Sequence, residues 1–165
     1  ISELGKYLED EGMPLAYHHH MGTVIETQKD TERLIENTHE SVKLTLDTGH
    51  MLFAKGDSKY ILQNYHERIL HVHCKDIRKQ VLEKSLKEDL SFRGAFLEGA
   101  FTVPGDGCID YQPLFNVLKN NNYSGWLVVE AEQDPAKANP LEYAKIGYNY
   151  LTDTLKKSEI EIYKN

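Results

Sequence analysis

The segment Tyr17-His18-His19-His20-Met21-Gly22-Thr23 places three imidazoles in a row behind the short apolar run Pro14-Leu15-Ala16. Alternation along a strand puts His18 and His20 on one face and His19 on the other. Two imidazoles on a shared face can bind a cation or carry a proton near neutral pH. Hydrogen-bonded residues at a strand end are the plainer reading, but titratable groups clustered in this way mark functional sites.

Three further groups repeat the pattern of an apolar run ending in ionisable residues. In Leu46-Asp47-Thr48-Gly49-His50, Asp47 follows the run Val42 to Leu46 and can bind a hard divalent cation. His50, three residues on, can reach a ligand if the loop folds back, although Asp-Thr-Gly is also good turn and cap chemistry. In His71-Val72-His73-Cys74-Lys75-Asp76, the two histidines share a face. His73 lies nearer the strand end and is the better metal ligand, while His71 reads equally well as a core histidine. In Val128-Val129-Glu130-Ala131-Glu132, Glu130 ends a strand too apolar for an unpaired charge, so a cation or a donor must meet it. Glu132 lies on the same face and can bond a ligand, bind the metal or face solvent.

Elements that would position these groups follow from the periodicity. A helix is expected over residues 1–12, carrying Ile1, Leu4, Tyr7 and Leu8 and closed by Gly12. Strand–helix units then begin near residues 14, 42, 69 and 125. Their helices are expected over 28–39 (Leu34 and Ile35 inward), near 58–68 (Tyr60, Ile61 and Tyr65), around Leu114 to Leu118, and from Leu141 to Leu155 behind Asn139-Pro140. Residues 77–110 are too long for an ordinary connection, so helical pieces and a tight turn at Pro104-Gly105-Asp106-Gly107 are expected there.

Four βα units imply a parallel sheet, either doubly wound or part of a (β/α)8 barrel. A doubly wound sheet gathers its chemistry at one crevice, whereas here every strand ends in ionisable groups, which favours the barrel. A whole barrel needs about 250 residues, so the expectation for this chain of 165 is a single α/β domain forming the C-terminal half of one. Its opening at Ile1 agrees with a piece of something longer.

Composition narrows the partners. A formal charge of -7 with dispersed basic residues argues against nucleic acid and leaves a small metabolite. No run approaches the roughly 20 apolar residues of a membrane span, and no signal segment opens the chain. With only two cysteines, Cys74 and Cys108, a disulfide framework is not expected, and a reducing cytoplasm fits. The donor set is mostly oxygen with imidazole, which suits Mn²⁺, Co²⁺ or Mg²⁺ and leaves Zn²⁺ open. Phosphate loops, nucleophile elbows and paired Cys-x-x-Cys motifs are not found.

Taken together, the four segments and Phe101-Thr102-Val103-Pro104-Gly105-Asp106-Gly107 resemble, in order, the xylose isomerase-like sugar phosphate isomerase/epimerase superfamily. Within it they are most similar to the myo-inosose-2 dehydratase family of inositol catabolism. The resemblance implies metal ligands at Asp47, His73 and Glu130, with His50 contacting substrate. Many relatives carry Glu at the first strand end, where this chain has His18, so His18, His20 or Glu26 would complete the set. The implied activity is loss of water from 2-keto-myo-inositol to give a cyclic dione, a metal-dependent hydro-lyase reaction. Metal at the ketone would stabilise the enolate formed on removing the α proton. His20 or His50 would be the base, and Glu132 or Lys75 would assist the leaving hydroxide. Two alternatives accompany this reading: a sugar or inosose epimerase or isomerase, and an inactive fragment serving as an assembly module. Half a barrel would also be expected to pair with a second copy or with its missing N-terminal half.

Overall fold

Four parallel strands, β1 (Leu15–His18), β2 (Val42–Asp47), β3 (Ile69–Cys74) and β6 (Trp126–Val129), lie side by side in chain order in a computed structural model that describes residues 1–163. An unreversed order is what distinguishes a barrel segment from a doubly wound sheet, whose order turns back at a switch point.

The intervening helices are α1 (Ser2–Asp10), α2 (Gln28–Glu36), α3 (Thr48–Phe53), α4 (Ser58–Tyr65), α7 (Tyr111–Asn120) and α8 (Pro140–Lys157). The region between β3 and α7 holds α5 (Lys79–Lys87), α6 (Phe92–Leu97) and the short antiparallel pair β4 (Asp76–Ile77) and β5 (Phe101–Thr102). Helical pieces expected within 77–110 are therefore present. At the tight turn, Gly105 has φ +90°, and a Cβ at Gly107 would collide with the Asp76 carboxylate. That carboxylate accepts the backbone N–H groups of Ile77, Cys108 and Ile109 at 2.7, 2.9 and 2.9 Å and so ties the turn down.

One face of the sheet makes the core. Leu44, Leu46, Val72 and Cys74 pack with Ile35, Ile61, Leu62, Leu114, Phe115, Val117, Leu118, Leu151 and Leu155 from the helices. Burying each such aliphatic side chain contributes about 1.5–3 kcal/mol, which makes this layer the main source of stability. Alternation sends Thr45, Asp47, His71, His73, Trp126 and Val128 to the opposite face, where Thr45 pairs with His71 and Asp47 with His73. A second cluster of Phe53, Ile77, Ala95, Ala100 and Phe101 lies between α3 and the insertion.

Several helix expectations change in detail. α2 ends at Glu36 rather than residue 39 because Asn37 caps it, and its inner positions are Thr31 and Ile35, with Leu34 only partly buried. In α4 the inward pair is Ile61 and Leu62, while Tyr60 is 42% exposed. Only one stripe of a two-turn helix can meet the sheet, and Tyr60 lies off it. Residues 66–68 tighten into a 3-10 turn rather than continuing α4. Ile1, at the N-cap of α1, and Leu4 and Tyr7 on the helix are all more than half exposed, and the buried contact is Gly5 against Ser41 and Val42. The expected apolar face of α1 thus points away from this sheet. Among the described residues no helix is long and apolar enough to cross a membrane.

Candidate active site

Asp47 lies at the centre of the strand ends and is fully buried. The residues after it form α3 rather than the loop expected from Asp-Thr-Gly, because Asp47 itself caps the helix: Oδ1 accepts the His50 N–H at 2.9 Å. Its backbone N–H donates to Nε2 of His19 at 3.1 Å. His19, which alternation sent to the far face, is completely buried, and burial lowers its pKa to about 3 despite the attraction of Asp47. It is a neutral positioning group for the end of β2.

The second oxygen of Asp47 faces the site. Oδ2 lies 3.3 Å from His18 Nε2, 3.6 Å from His73 Nδ1 and 3.2 Å from Lys75 Nζ. Burial raises the acid's pKa, but hydrogen bonding from His18 and His73 and the Lys75 charge outweigh it, holding Asp47 well below the usual range. His18, Asp47 and His73 each offer an atom to a common point, as a metal centre requires.

Lys75 was expected only as an assistant to catalysis, yet it is the hub. Its side chain is fully buried, and Nζ lies 2.7 Å from Glu130 Oε2, 2.8 Å from Glu132 Oε2 and 2.8 Å from His50 Nε2. Desolvation lowers its pKa, but Asp47, Glu130 and Glu132 more than compensate, so the ammonium is retained. Glu132 is pulled down to about 2 because its bonds with His50 and Lys75 overcome burial. Asp47 and Glu130 share this one ammonium, so their oxygens lie close together at the mouth.

Hydrogen bonding places the imidazoles of His50 and His20 differently. His50 Nε2 lies 2.8 Å from Lys75 Nζ and 3.2 Å from Glu132 Oε2, so it accepts from the ammonium in one tautomer and donates to the carboxylate in the other, while its buried Nδ1 has no partner among the described residues. Burial lowers the His50 pKa, in keeping with a neutral ring. His20 Nδ1 meets the Met21 carbonyl at 2.7 Å, and a carbonyl can only accept. The proton of His20 is therefore on Nδ1, leaving Nε2 free to accept another, with Glu132 Oε1 3.4 Å away to stabilise the imidazolium.

Phe92 of α6 closes one side, its ring 5.2 Å from His20 and 5.9 Å from His50. From beneath, the buried Tyr111 hydroxyl meets Thr48 Oγ1 at 2.8 Å and donates to the Lys75 carbonyl at 3.0 Å. Neither Phe92 nor Tyr111 was picked out from the sequence. An aromatic on an amphipathic helix reads as core, and only the fold reveals what its edge touches. His71 stacks edge-on with His73 at 5.2 Å and lies deeper on the inner face beside Trp126. Glu26 joins neither imidazole cluster: its carboxylate accepts the Gly22 N–H at 2.7 Å within the loop after β1.

The fold and these groups define a segment of an α/β barrel with a polar mouth at the carboxyl ends of its strands. A family model described as xylose isomerase-like TIM barrel matches residues 1–154, and the chain belongs to that family. A protein named inosose dehydratase from Clostridium beijerinckii is 51% identical over 154 residues, covering 93% of this chain and 52% of that protein. Another of that name from Halalkalibacterium halodurans is 48% identical over 156 residues, covering 94% of this chain and 52% of its own length. The chain thus spans about half the length of the curated relatives it matches. A crystal structure of IOLI protein with a binding zinc atom aligns with TM-score 0.69 at 20% identity, covering 95% of this chain and 54% of that one. The probable 3-DHS dehydratase AsbF of Bacillus anthracis aligns with TM-score 0.68 at 18% identity, covering 92% and 53%. These two are likenesses of fold.

Proposed function

We propose that the protein is the C-terminal half of a metal-dependent hydro-lyase that dehydrates 2-keto-myo-inositol to a cyclic dione in inositol catabolism. The observation that carries this is the convergence of His18, Asp47 and His73 on one point, with Glu130 at the Lys75 ammonium beside Asp47, in a chain 51% identical to an inosose dehydratase.

The donors suit a divalent cation. Among the described residues, the buried Nδ1 of His73 has no partner nearer than Asp47 Oδ2 at 3.6 Å, and the buried Oε2 of Glu130 is met by the Lys75 ammonium alone at 2.7 Å. Buried polar atoms left in that state are costly unless a ligand meets them. Asp47, His73 and Glu130 would hold the ion, with His18 as fourth ligand in preference to Glu26. Imidazole with carboxylate suits Mn²⁺ or Co²⁺ and also accommodates the zinc named for the IOLI protein. When bound, such an ion supplies Lewis-acid stabilisation of charge developing on a ketone oxygen.

The chain's own residues divide the proton work. His20 Nε2 takes the proton α to the ketone, and Glu132 stabilises the resulting charge. Lys75, hydrogen-bonded to Glu132 and His50, is the acid that meets the departing hydroxide. His50 keeps the ammonium aimed rather than acting as base. Phe92 shields the imidazoles from water. Free thiols at Cys74 and Cys108 agree with a cytoplasmic setting.

Incubation of the Mn²⁺- or Co²⁺-loaded protein with inosose should generate dione absorbance that is lost on chelation. Interconversion of inosose isomers without loss of water would instead support an epimerase or isomerase. Bound metal with neither reaction would favour an assembly role for this chain and count against the lyase reading.

A further inference from the structure

Two sets of ligand atoms, not one, converge at the strand ends. Besides His18, Asp47 and His73, the side chains of His20, His50 and Glu132 bring three donor atoms within 4.8 Å of one another. The sets are adjacent: the His18 ring lies 5.5 Å from that of His20 and 5.7 Å from that of His50. A pair of neighbouring triads of imidazole and carboxylate is the raw material of a two-ion centre.

Lys75 stands between them. Its Nζ is 3.2 Å from Asp47 Oδ2 in the first triad and 2.8 Å from both His50 Nε2 and Glu132 Oε2 in the second. An ion held by those last two atoms would sit about 2.0–2.2 Å from each, in space the ammonium already occupies. The ammonium also lies 2.8 Å from the Nε2 atom that such an ion would need. Charge leads to the same count. The carboxylates of Asp47, Glu130 and Glu132 with one ammonium leave two negative charges, which a single divalent ion neutralises. A second ion beside a retained ammonium would leave a desolvated excess of positive charge.

We propose that His20, His50 and Glu132 form a latent second divalent-cation site, and that the Lys75 ammonium fills it and thereby limits the centre to one ion. The inference rests on the reading of Asp47, His73 and Glu130 as the primary site. In this arrangement Lys75 acts as a built-in monovalent occupant, keeping Glu132 and His20 available for proton transfer.

The test is ion stoichiometry, measured by isothermal titration with Mn²⁺ and by elemental analysis after dialysis. Wild type should bind one ion per chain and Lys75→Met two. Lys75→Met combined with His20→Ala should return to one. Lys75→Gln provides the same comparison if the methionine variant fails to fold. With Lys75 unchanged, Glu132→Gln should still bind one ion, more weakly because one of the charges that the ion offsets is gone. Two ions in wild type, one ion in a folded Lys75→Met or Lys75→Gln protein, or loss of the ion in Glu132→Gln would each overturn the proposal. Binding of no ion by any form would refute the primary site as well, so the two failures are distinguishable.

Discussion

One carboxylate joins Asp47 to His50 and to the site at once: Oδ1 accepts the His50 N–H at 2.9 Å, while Oδ2 faces His18, His73 and Lys75. Capping α3 and presenting a charge are therefore separable by substitution. Asp47→Asn keeps a side-chain oxygen for the cap and loses the charge, whereas Asp47→Ala loses both. Divalent-ion binding should disappear in each, read by titration calorimetry. Denaturant melts should then show Asp47→Ala less stable than Asp47→Asn by about 1 kcal/mol, the usual worth of such a cap. Equal stabilities would show that the cap contributes nothing, and retained ion binding would remove Asp47 from the ligand set.

Tyr111 supports the hub from below. Its hydroxyl bridges Thr48 Oγ1 and the Lys75 carbonyl in a region without solvent access, and burial raises its pKa well above the usual value. Tyr111→Phe removes the hydroxyl and leaves the Lys75 carbonyl only its Thr48 bond at 2.7 Å. Stability should fall by roughly 1–2 kcal/mol, the cost of a buried hydrogen bond lost without replacement. A urea denaturation curve indistinguishable from wild type would show that the hydroxyl is not a support.

How far the residues alone disclose this arrangement depends on the range of the interaction. The strands and their ionisable tips were legible because alternation is a local property: Val42 to Leu46 before Asp47, and Ile69 to His73, read correctly from nearest neighbours. The nearness of His18 and His20, whose rings are 5.5 Å apart, and the separate role of His19 also follow from alternation, although the two outer histidines fall in different triads. Lys75 was less legible as a hub, because a lysine after an apolar strand ordinarily reaches water. Its burial depends on Glu130 and Glu132, more than fifty positions away in the chain. The same holds for Tyr111, whose partners Thr48 and Lys75 come from other βα units. Short α3 escaped notice because Asp-Thr-Gly suits a turn as well as a cap, and only the docking of His50 under Phe92 and Phe101 decides between them.

The two edges of the sheet behave differently from its centre. β1 is half-buried along its whole length, and Trp126, the sole tryptophan, opens β6 with 67% of its surface exposed. In register beside Trp126 lies His71, so the indole belongs to the inner face of the barrel. Beyond β1, Leu4, Tyr7 and Met13 are exposed to between 52% and 69%. Unpaired backbone at both edges next to uncovered apolar side chains favours association, through a second copy or the other half of a barrel. In isolation this 19.0 kDa chain should therefore self-associate, and analytical ultracentrifugation should report species above the monomer mass that dissociate on dilution. Trp126 emission should move to longer wavelength over the same dilution, because the indole returns to water. Trp126→Glu, which places a charge on the uncovered face, should shift the population toward monomer without lowering Tm. A chain that is monomeric at every concentration, with constant emission, would mean that these edges are tolerated in water and that the inner face has no partner in the isolated chain.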